Sequence, residues 1–423
     1  MNFCAMGRMI KTFLLSLALW SSLCGAEVFF IVTADLHGNL DKFSRLAPAI
    51  RAYPEAVKAD AGDLFQGNYA VNEAQGIPVL DALNMLGYEI IVLGNHDLEY
   101  PLRVMQRWQA HFSGKILGGQ WGLRGLELPG FTVVERHGIR IGVIALGDVG
   151  LKKRTPFWQD LSYHDEVKTV RVAVDELKKF HCHAMVLIAH AGVGNFGLFN
   201  RLLRDVPEID AVIGAHSHKS VPGRRIRGKL AVQPDSHSES AVLLRMTFDR
   251  EKKLKFIRSE LLRPADKRDE AVMALKNSAE AQSMARGSEL LGKVESMEKF
   301  GTFAARSIRQ AVGADVAFFR CEGADFTGEL TRKKLYEKLP FGNRIVKVAI
   351  DREALMRFIK KRRRKNKKFF ISGSPDKERV ILAVSDFFWL KESDLHHWKS
   401  CVSGKFERDV ILEALEKAGE TPL

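Results

Sequence analysis

Five short polar clusters punctuate the first half of the chain, and each stands where an apolar run ends: Asp35-Leu36-His37, Gly62-Asp63, Gly94-Asn95-His96-Asp97, His190 and Gly214-Ala215-His216-Ser217-His218. Carboxylates and imidazoles are the ligand types that suit Zn²⁺, Mn²⁺ or Fe. Two such ions about 3.5–4 Å apart clamp both the attacking and the leaving oxygen of an in-line displacement. Cations that close need a shared carboxylate, and Asp63 suits that place because Gly62 leaves its turn unobstructed. Singly, each cluster is ordinary: an Asp-x-His pair is common on surfaces, and Asn-His-Asp is turn chemistry. Together they sit where an α/β sheet presents its functional loops, at the ends of strands.

The elements that must position these clusters are legible as period. Residues 28–34 and 89–93 read as strands, and residues 40–52 and 77–86 as amphipathic helices. Residues 131–135 and 139–146 flank His137-Gly138, a hairpin signal. A long helical pattern covers 164–180, strands return at 184–189 and 211–213, and 241–248 with 254–260 form a last hairpin. The result is a layered sheet-and-helix domain over residues 27–262. Residues 263–299 read as a charged, Ala-rich linker helix, and a second, smaller α/β domain covers 300–423.

The chain has 423 residues, 46% hydrophobic and 27% charged, enough for two or three domains without disulfide staples. Arg8 and Lys11 precede an apolar run over 12–23 that is short for a bilayer span, and Cys24-Gly25-Ala26 offers small residues for cleavage. This pattern predicts a secretory signal peptide over 1–26, with an uncleaved anchor as the alternative. No stable membrane span is expected in the remainder, which places the mature chain in the periplasm or outside the cell. Cys182, Cys321 and Cys401 show no disulfide framework and no Cys-based zinc motif. Net charge is +14; the two cations of residues 1–26, with no acid among them, leave +12. Such a balance favours anionic partners.

The segments ThrAlaAspLeuHisGlyAsn (33–39), AlaGlyAspLeuPheGlnGly (61–67), LeuGlyAsnHisAspLeuGluTyr (93–100), AlaHis (189–190) and GlyAlaHisSerHis (214–218) resemble the calcineurin-like metallophosphoesterase signature, in particular its bacterial 5′-nucleotidase/UDP-sugar hydrolase branch. LeuTyrGluLysLeuProPheGlyAsn (335–343) resembles that branch's C-terminal nucleotide-binding domain. The resemblance implies a four-layer α/β/β/α catalytic domain and a cofactor of two divalent ions, Zn, Mn or similar. It assigns one ion to Asp35, His37, Asp63 and His218, and the other to Asp63, Asn95, His190 and His216. A water shared by two cations loses a proton near neutral pH, so a bridging hydroxide is the expected nucleophile on phosphorus. His96 would then face the phosphate and stabilise the leaving oxygen or give it a proton, with a nearby acid orienting its ring. The family usually places Asp at the position of Glu99 and Glu at that of Asp97; here the two are exchanged, which changes their reach by one methylene.

After residue 300 the pattern departs from the family. An Asn-x-Gly-Gly-Ile-Arg segment normally grips substrate, but here the chain reads Arg320-Cys321-Glu322-Gly323-Ala324-Asp325, with an anion at 325 where a cation is usual. Arg320 is the candidate replacement. The rings that clamp a base are also missing from their usual segments, and Phe370, among Phe369, Phe387, Phe388 and Trp389, is the candidate substitute, packing being the alternative. With Asn95 these two make up the expected substrate contacts. Residues 360–368 hold eight Lys or Arg in nine positions, either a solvated helix end or a contact for polyanions. The sequence thus predicts an exported dinuclear phosphoesterase acting on a small phosphorylated substrate, by resemblance a 5′-nucleotide. The alternatives are the same chemistry on a non-nucleotide phosphomonoester or phosphodiester, and a polyanion-binding protein that uses residues 360–368.

Overall fold

The computed structural model describes residues 25–150, 161–321, 326–364 and 369–419, with the side chains of 363 and 364 excepted. The expected signal peptide lies outside the described residues up to position 24, as do Asp325 and the last four residues of the basic run. Four parallel strands open the fold: β1 (Ala26–Thr33), β2 (Val57–Asp60), β3 (Tyr88–Val92) and β4 (Lys115–Leu117). The chain then builds a second sheet from β5 (Phe131–Arg136), β6 (Ile139–Leu146), β7 (Ala184–Ala189), β8 (Ala211–Ile213), β9 (Val221–Ile226) and β10 (Lys229–Gln233), in the spatial order β9-β10-β8-β7-β6-β5. It returns to the first sheet with β11 (Ala241–Phe248), antiparallel to β1, and β12 (Leu254–Leu262) at the edge. The turn between β5 and β6 is His137-Gly138, both at positive φ, as a two-residue hairpin requires.

Alternation along β1 shows how the layers form. Val28, Phe30 and Val32 point into the gap between the sheets, where they meet Ile141, Val143, Val186 and Ile188. Ile31 points the other way, into a core with Phe43, Leu46 and Ile50 of helix α1 (Leu40–Arg51) and Leu83 of α2 (Ile77–Leu86). The second sheet has its own helical cover: Val170, Val174 and Leu177 of α3 (Glu166–Lys179) and Phe199 and Leu202 of α4 (Phe196–Asp205). The order is helix, sheet, sheet, helix, as the resemblance implied. Each such side chain, fully buried, contributes about 1.5–3 kcal/mol relative to exposure. Parallel strands covered on both faces are largely apolar, which is why their ends stand out as polar.

The stretch read as one linker helix divides. Helix α5 (Glu270–Gly287) lies on the first domain, tied to α1 by Arg51 to Asp269 at 2.6 Å and by Arg268 to Asp41 at 2.8 Å. Past Gly287, Leu290–Val294 pairs as a strand with Gly328–Thr331. Gly292 sits at φ 147°, far from helical backbone, so no helix runs on through it. The C-terminal domain centres on a mixed sheet of β13 (Val316–Phe319), β14 (Arg344–Asp351), β15 (Phe370–Gly373), β16 (Arg379–Ser385) and β17 (Lys399–Phe406), in the order β15-β13-β16-β14-β17. Helices α6 (Met297–Val312), α7 (Arg332–Lys338) and α8 (Glu407–Ala418) cover it. Among the described residues, no helix is long and apolar enough to cross a membrane.

Candidate metal centre and active site

Every cluster singled out above follows the C-terminal end of a strand: Asp35 and His37 after β1, Asp63 after β2, Asn95 and His96 after β3, His190 after β7, His216 and His218 after β8. The loops are held by their own backbones. Buried Asp60 accepts from Thr33 Oγ1 at 2.6 Å and from the Gly62 N–H at 2.7 Å. Gly62 (φ 102°) comes so near the next loop that a Cβ there would stand 2.5 Å from the Gly94 nitrogen. Asp97, fully buried, accepts the N–H groups of Asp63, Leu64 and Gly94, each at 2.9 Å. Asp35, His37, Asp63, His216 and His218 all adopt positive φ, between 50° and 70°. For residues other than glycine that backbone costs on the order of 1–3 kcal/mol each, and such strain clusters at functional sites.

The side chains converge in two groups. Asp35, His37 and His218 offer ligand atoms within 4.8 Å of one another, and so do Asp63, His190 and His216. In the first, Nε2 of His37 and Nε2 of His218 lie 3.2 Å apart; in the second, Nε2 of His190 and Nδ1 of His216 lie 3.3 Å apart. Two nitrogens about 2.1 Å from one tetrahedral ion are separated by roughly 3.4 Å. The remaining nitrogens of the two buried rings are anchored: Nδ1 of His37 is 2.9 Å from the Gln66 carbonyl, and Nδ1 of His190 is 2.8 Å from the Ala61 carbonyl. Each Nδ1–H donates to that carbonyl, which turns Nε2 inward, the orientation a metal-ligating histidine needs. Asn95 supplies the sharpest sign of a missing partner: its Oδ1 is buried with no hydrogen bond. An orphaned buried acceptor is costly unless a cation or water meets it.

Electrostatics point the same way. Burial pushes Asp35 up to about 7 and Asp97 up to about 6, with the Asp63 charge adding to both. Burial also pulls His37 down to about 4, which keeps its ring neutral. Burial alone would raise Asp63, yet His190 at 3.1 Å holds it well below the usual carboxylate range. His190, which burial would lower, is carried up to about 10 by Asp63. So many buried acids in one place make a cavity of negative charge, with a proton on His190 standing in for stronger cations. The donor set fits two divalent ions.

His96 stands beside these groups. Its Nδ1 lies 2.8 Å from Glu99 Oε1, and its backbone N–H donates to Asp63 Oδ1 at 2.8 Å. Despite the exchange of Asp and Glu, the shorter acid thus ties loops together and the longer one reaches the imidazole. A cavity of about 440 Å³ opens over the site, lined by His37, Asp63, His96, His216, His218 and Phe341 among others. Arg320 is not part of it; it lines a neighbouring pocket of about 100 Å³ with Phe387 and Arg408, separated from the first by Pro340 and Phe341. Phe370 is not brought to the cleft either. Its ring packs on Gly301 of α6, where a Cβ would stand 2.2 Å away, and 6.3 Å from Phe319, so packing explains it. In the basic run, Lys361 pairs with Asp394 at 2.5 Å and Arg362 with Glu392, which neutralises part of it internally.

Residue type and spacing missed two rings at the cleft. His237 lies with its centroid 5.1 Å from His37 and 5.4 Å from His218. It follows the end of β10 and even has Asp235 two residues before it, the spacing of Asp35 and His37, but Asp235 turns away to Ser240 and Arg263. Phe341 stacks on His96 at 4.9 Å with 23° between the planes. Its signal was the segment 335–343 itself, in which no residue advertises chemistry.

Residues 30–220 match the family model described as calcineurin-like phosphoesterase, and residues 277–387 match that of the 5′-nucleotidase C-terminal domain. The chain thus carries a calcineurin-like phosphoesterase domain followed by a 5′-nucleotidase C-terminal domain. It is similar to a 2′,3′-cyclic-nucleotide 2′-phosphodiesterase/3′-nucleotidase of Haemophilus influenzae, 30% identical over 47% of this chain and 37% of that protein. It is also similar to human 5′-nucleotidase, 26% identical over 50% of this chain and 42% of the relative. The matched stretch thus spans less than half the length of these curated relatives. Among solved structures, a 5′-nucleotidase precursor of Thermus thermophilus shares the fold with a TM-score of 0.66 and 17% identity, over 94% of this chain and 97% of that one.

Proposed function

We propose that this chain is an exported, dinuclear-metal phosphoesterase that hydrolyses 5′-nucleotides or closely related phosphate esters. The observation that carries the reading is the paired donor groups with the orphaned Asn95 Oδ1 between strand ends. Asp35, His37 and His218 would hold one ion, and His190, His216 and Asn95 the other, with Asp63 shared. Bound there, divalent ions supply Lewis-acid polarisation of a phosphoryl oxygen and a nucleophile at neutral pH. The chain's own residues do the rest. Glu99 accepts the Nδ1–H of His96 and so directs Nε2 to the leaving oxygen, as its proton donor or hydrogen-bond donor. The strand-end loops fix the ligands before substrate arrives, so little reorganisation remains at the moment of reaction.

Nucleotide preference is supported by the C-terminal domain's match, by the names of the two relatives, and by the Phe341 ring in the cleft. Residues 27–262 form the catalytic unit in this reading and residues 300–423 the substrate unit, with α5 docked between. A second reading, hydrolysis of a non-nucleotide phosphomonoester or a phosphodiester, is favoured by one observation: neither Arg320 nor Phe370 faces the metal cleft. Hydrolysis of AMP, a 2′,3′-cyclic nucleotide, a sugar phosphate and p-nitrophenyl phosphate, each with Zn²⁺, Mn²⁺ and Co²⁺ and read as phosphate release for the monoesters and as ring-opened nucleotide by chromatography for the cyclic diester, separates the two. AMP turnover above the others supports the first reading; a sugar phosphate or diester on top supports the second; no metal-dependent hydrolysis of any ester rejects both. Cell fractionation tests export.

A further inference from the structure

Glu99 has two partners from two domains. Its Oε1 lies 2.8 Å from Nδ1 of His96, and its Oε2 accepts the backbone N–H of Gly342 at 2.7 Å. A residue larger than glycine at 342 would crowd this contact, since a Cβ there would stand 3.1 Å from Oε2 and 3.2 Å from the Glu99 Cβ. The neighbouring Phe341 covers one face of the His96 ring. The segment that delivers both groups is itself held at Pro340, whose carbonyl accepts from Gln66 Nε2 of the first domain and, at 3.2 Å, from Arg408. Arg408 also donates to the Leu339 carbonyl at 3.0 Å and lies 4.0 Å over the Tyr336 ring. A carboxylate with both oxygens engaged cannot swing away from the imidazole it orients. A side chain shorter by one methylene, roughly 1.5 Å, would hold one of the two partners and lose the other.

We infer that Arg408 is a positioning residue for the phosphoesterase reaction: it fixes residues 340–342, Gly342 fixes Glu99, and Glu99 fixes the aim of His96. The C-terminal domain is thereby coupled to the leaving-group step as well as to substrate. This inference rests on the proposed role of His96. Misplacing a catalytic group by about 1 Å can cost on the order of 10²-fold, and the loss should depend on how much the leaving oxygen needs a proton. Phenolate needs one; p-nitrophenolate hardly does.

The test is steady-state kinetics of the full chain, loaded with Zn²⁺ or Mn²⁺, on phenyl phosphate and p-nitrophenyl phosphate. Wild type, Arg408→Ala, Glu99→Gln and the double variant are compared. The expected result for Arg408→Ala is a kcat about tenfold lower on phenyl phosphate, KM within about twofold, and a clearly smaller loss on p-nitrophenyl phosphate. In the Glu99→Gln background the same substitution should add nothing, because both act through one bond chain. Equal losses on both esters, or losses that multiply in the double variant, would overturn the coupling. Phe341→Ala, at a half-buried position, carries the same comparison should Arg408→Ala fail to fold. Wild type inactive on both esters would instead defeat the phosphoesterase reading on which the coupling rests.

Discussion

The two domains reward residue-level reasoning unequally. In the N-terminal domain, Asp35, His37, Asp63, His190, His216 and His218 come from four separate loops and meet in two groups, and a fifth loop, which carries Asn95, is tied to Asp63 through the His96 N–H. In the C-terminal domain, Arg320 lies in a neighbouring pocket and Phe370 against α6, while the segment that does enter the cleft is Pro340 to Gly342. The difference is chemical. A cation needs specific donor atoms, so its ligands must be Asp, His or Asn and stand out at the end of an apolar strand. Ring packing and a backbone N–H make no such demand, and a phenylalanine that meets a substrate looks in sequence like one that fills a core.

The contrast can be broken at either end. The largest effect should come from Asp63→Asn, which removes the shared charge: kcat/KM should fall by about 10³-fold or more, with metal content reduced, as read by elemental analysis beside phosphate release. His96→Ala should lower kcat by about 10²–10³-fold and leave both ions in place; loss of metal there would make His96 a ligand instead. Phe370→Ala should destabilise the chain by about 3 kcal/mol, seen in urea unfolding, with KM for AMP unchanged. A raised KM with unchanged stability would return this ring to the substrate. Removing metal by chelation should lower thermal stability, since an ion held at about 100 times its Kd contributes roughly 2.7 kcal/mol; scanning calorimetry with and without chelator measures it. The smallest effect is expected of Arg320→Ala, less than about threefold on AMP hydrolysis, because its pocket lies beyond Pro340 and Phe341.

Much of the fold was legible because strands β1, β3 and β6 to β8 are largely apolar, which makes each end conspicuous, whereas β2, with Lys58 and Asp60, and β4, with Lys115, gave no such signal. The backbone conformation of these candidate ligands was not legible. Nothing in the letters Asp or His announces positive φ at Asp35, His37, Asp63, His216 and His218, since that geometry is imposed by how two loops cross. His237 was hidden for a related reason: its neighbours in space are His37 and His218, and its neighbours in sequence are serines and an acid that turns away to Ser240 and Arg263. The division of the region after Arg263 into helix and strand was also missed. The charged pattern carries on past Gly287, but the strand at Leu290–Val294 exists because Gly328–Thr331 waits to pair with it.

Asp97 touches neither cavity nor imidazole, yet it collects the N–H groups that begin the loop after β2 and the loop after β3. One carboxyl group, barely two ångströms across its oxygens, therefore works as a rivet through both. Neither loop can drift without dragging the other, so Asp63 and Asn95 keep a common frame however the surroundings breathe. The gauge between the two donor groups is then cut into the protein in advance, and an arriving ion would have to fit that gauge rather than set it.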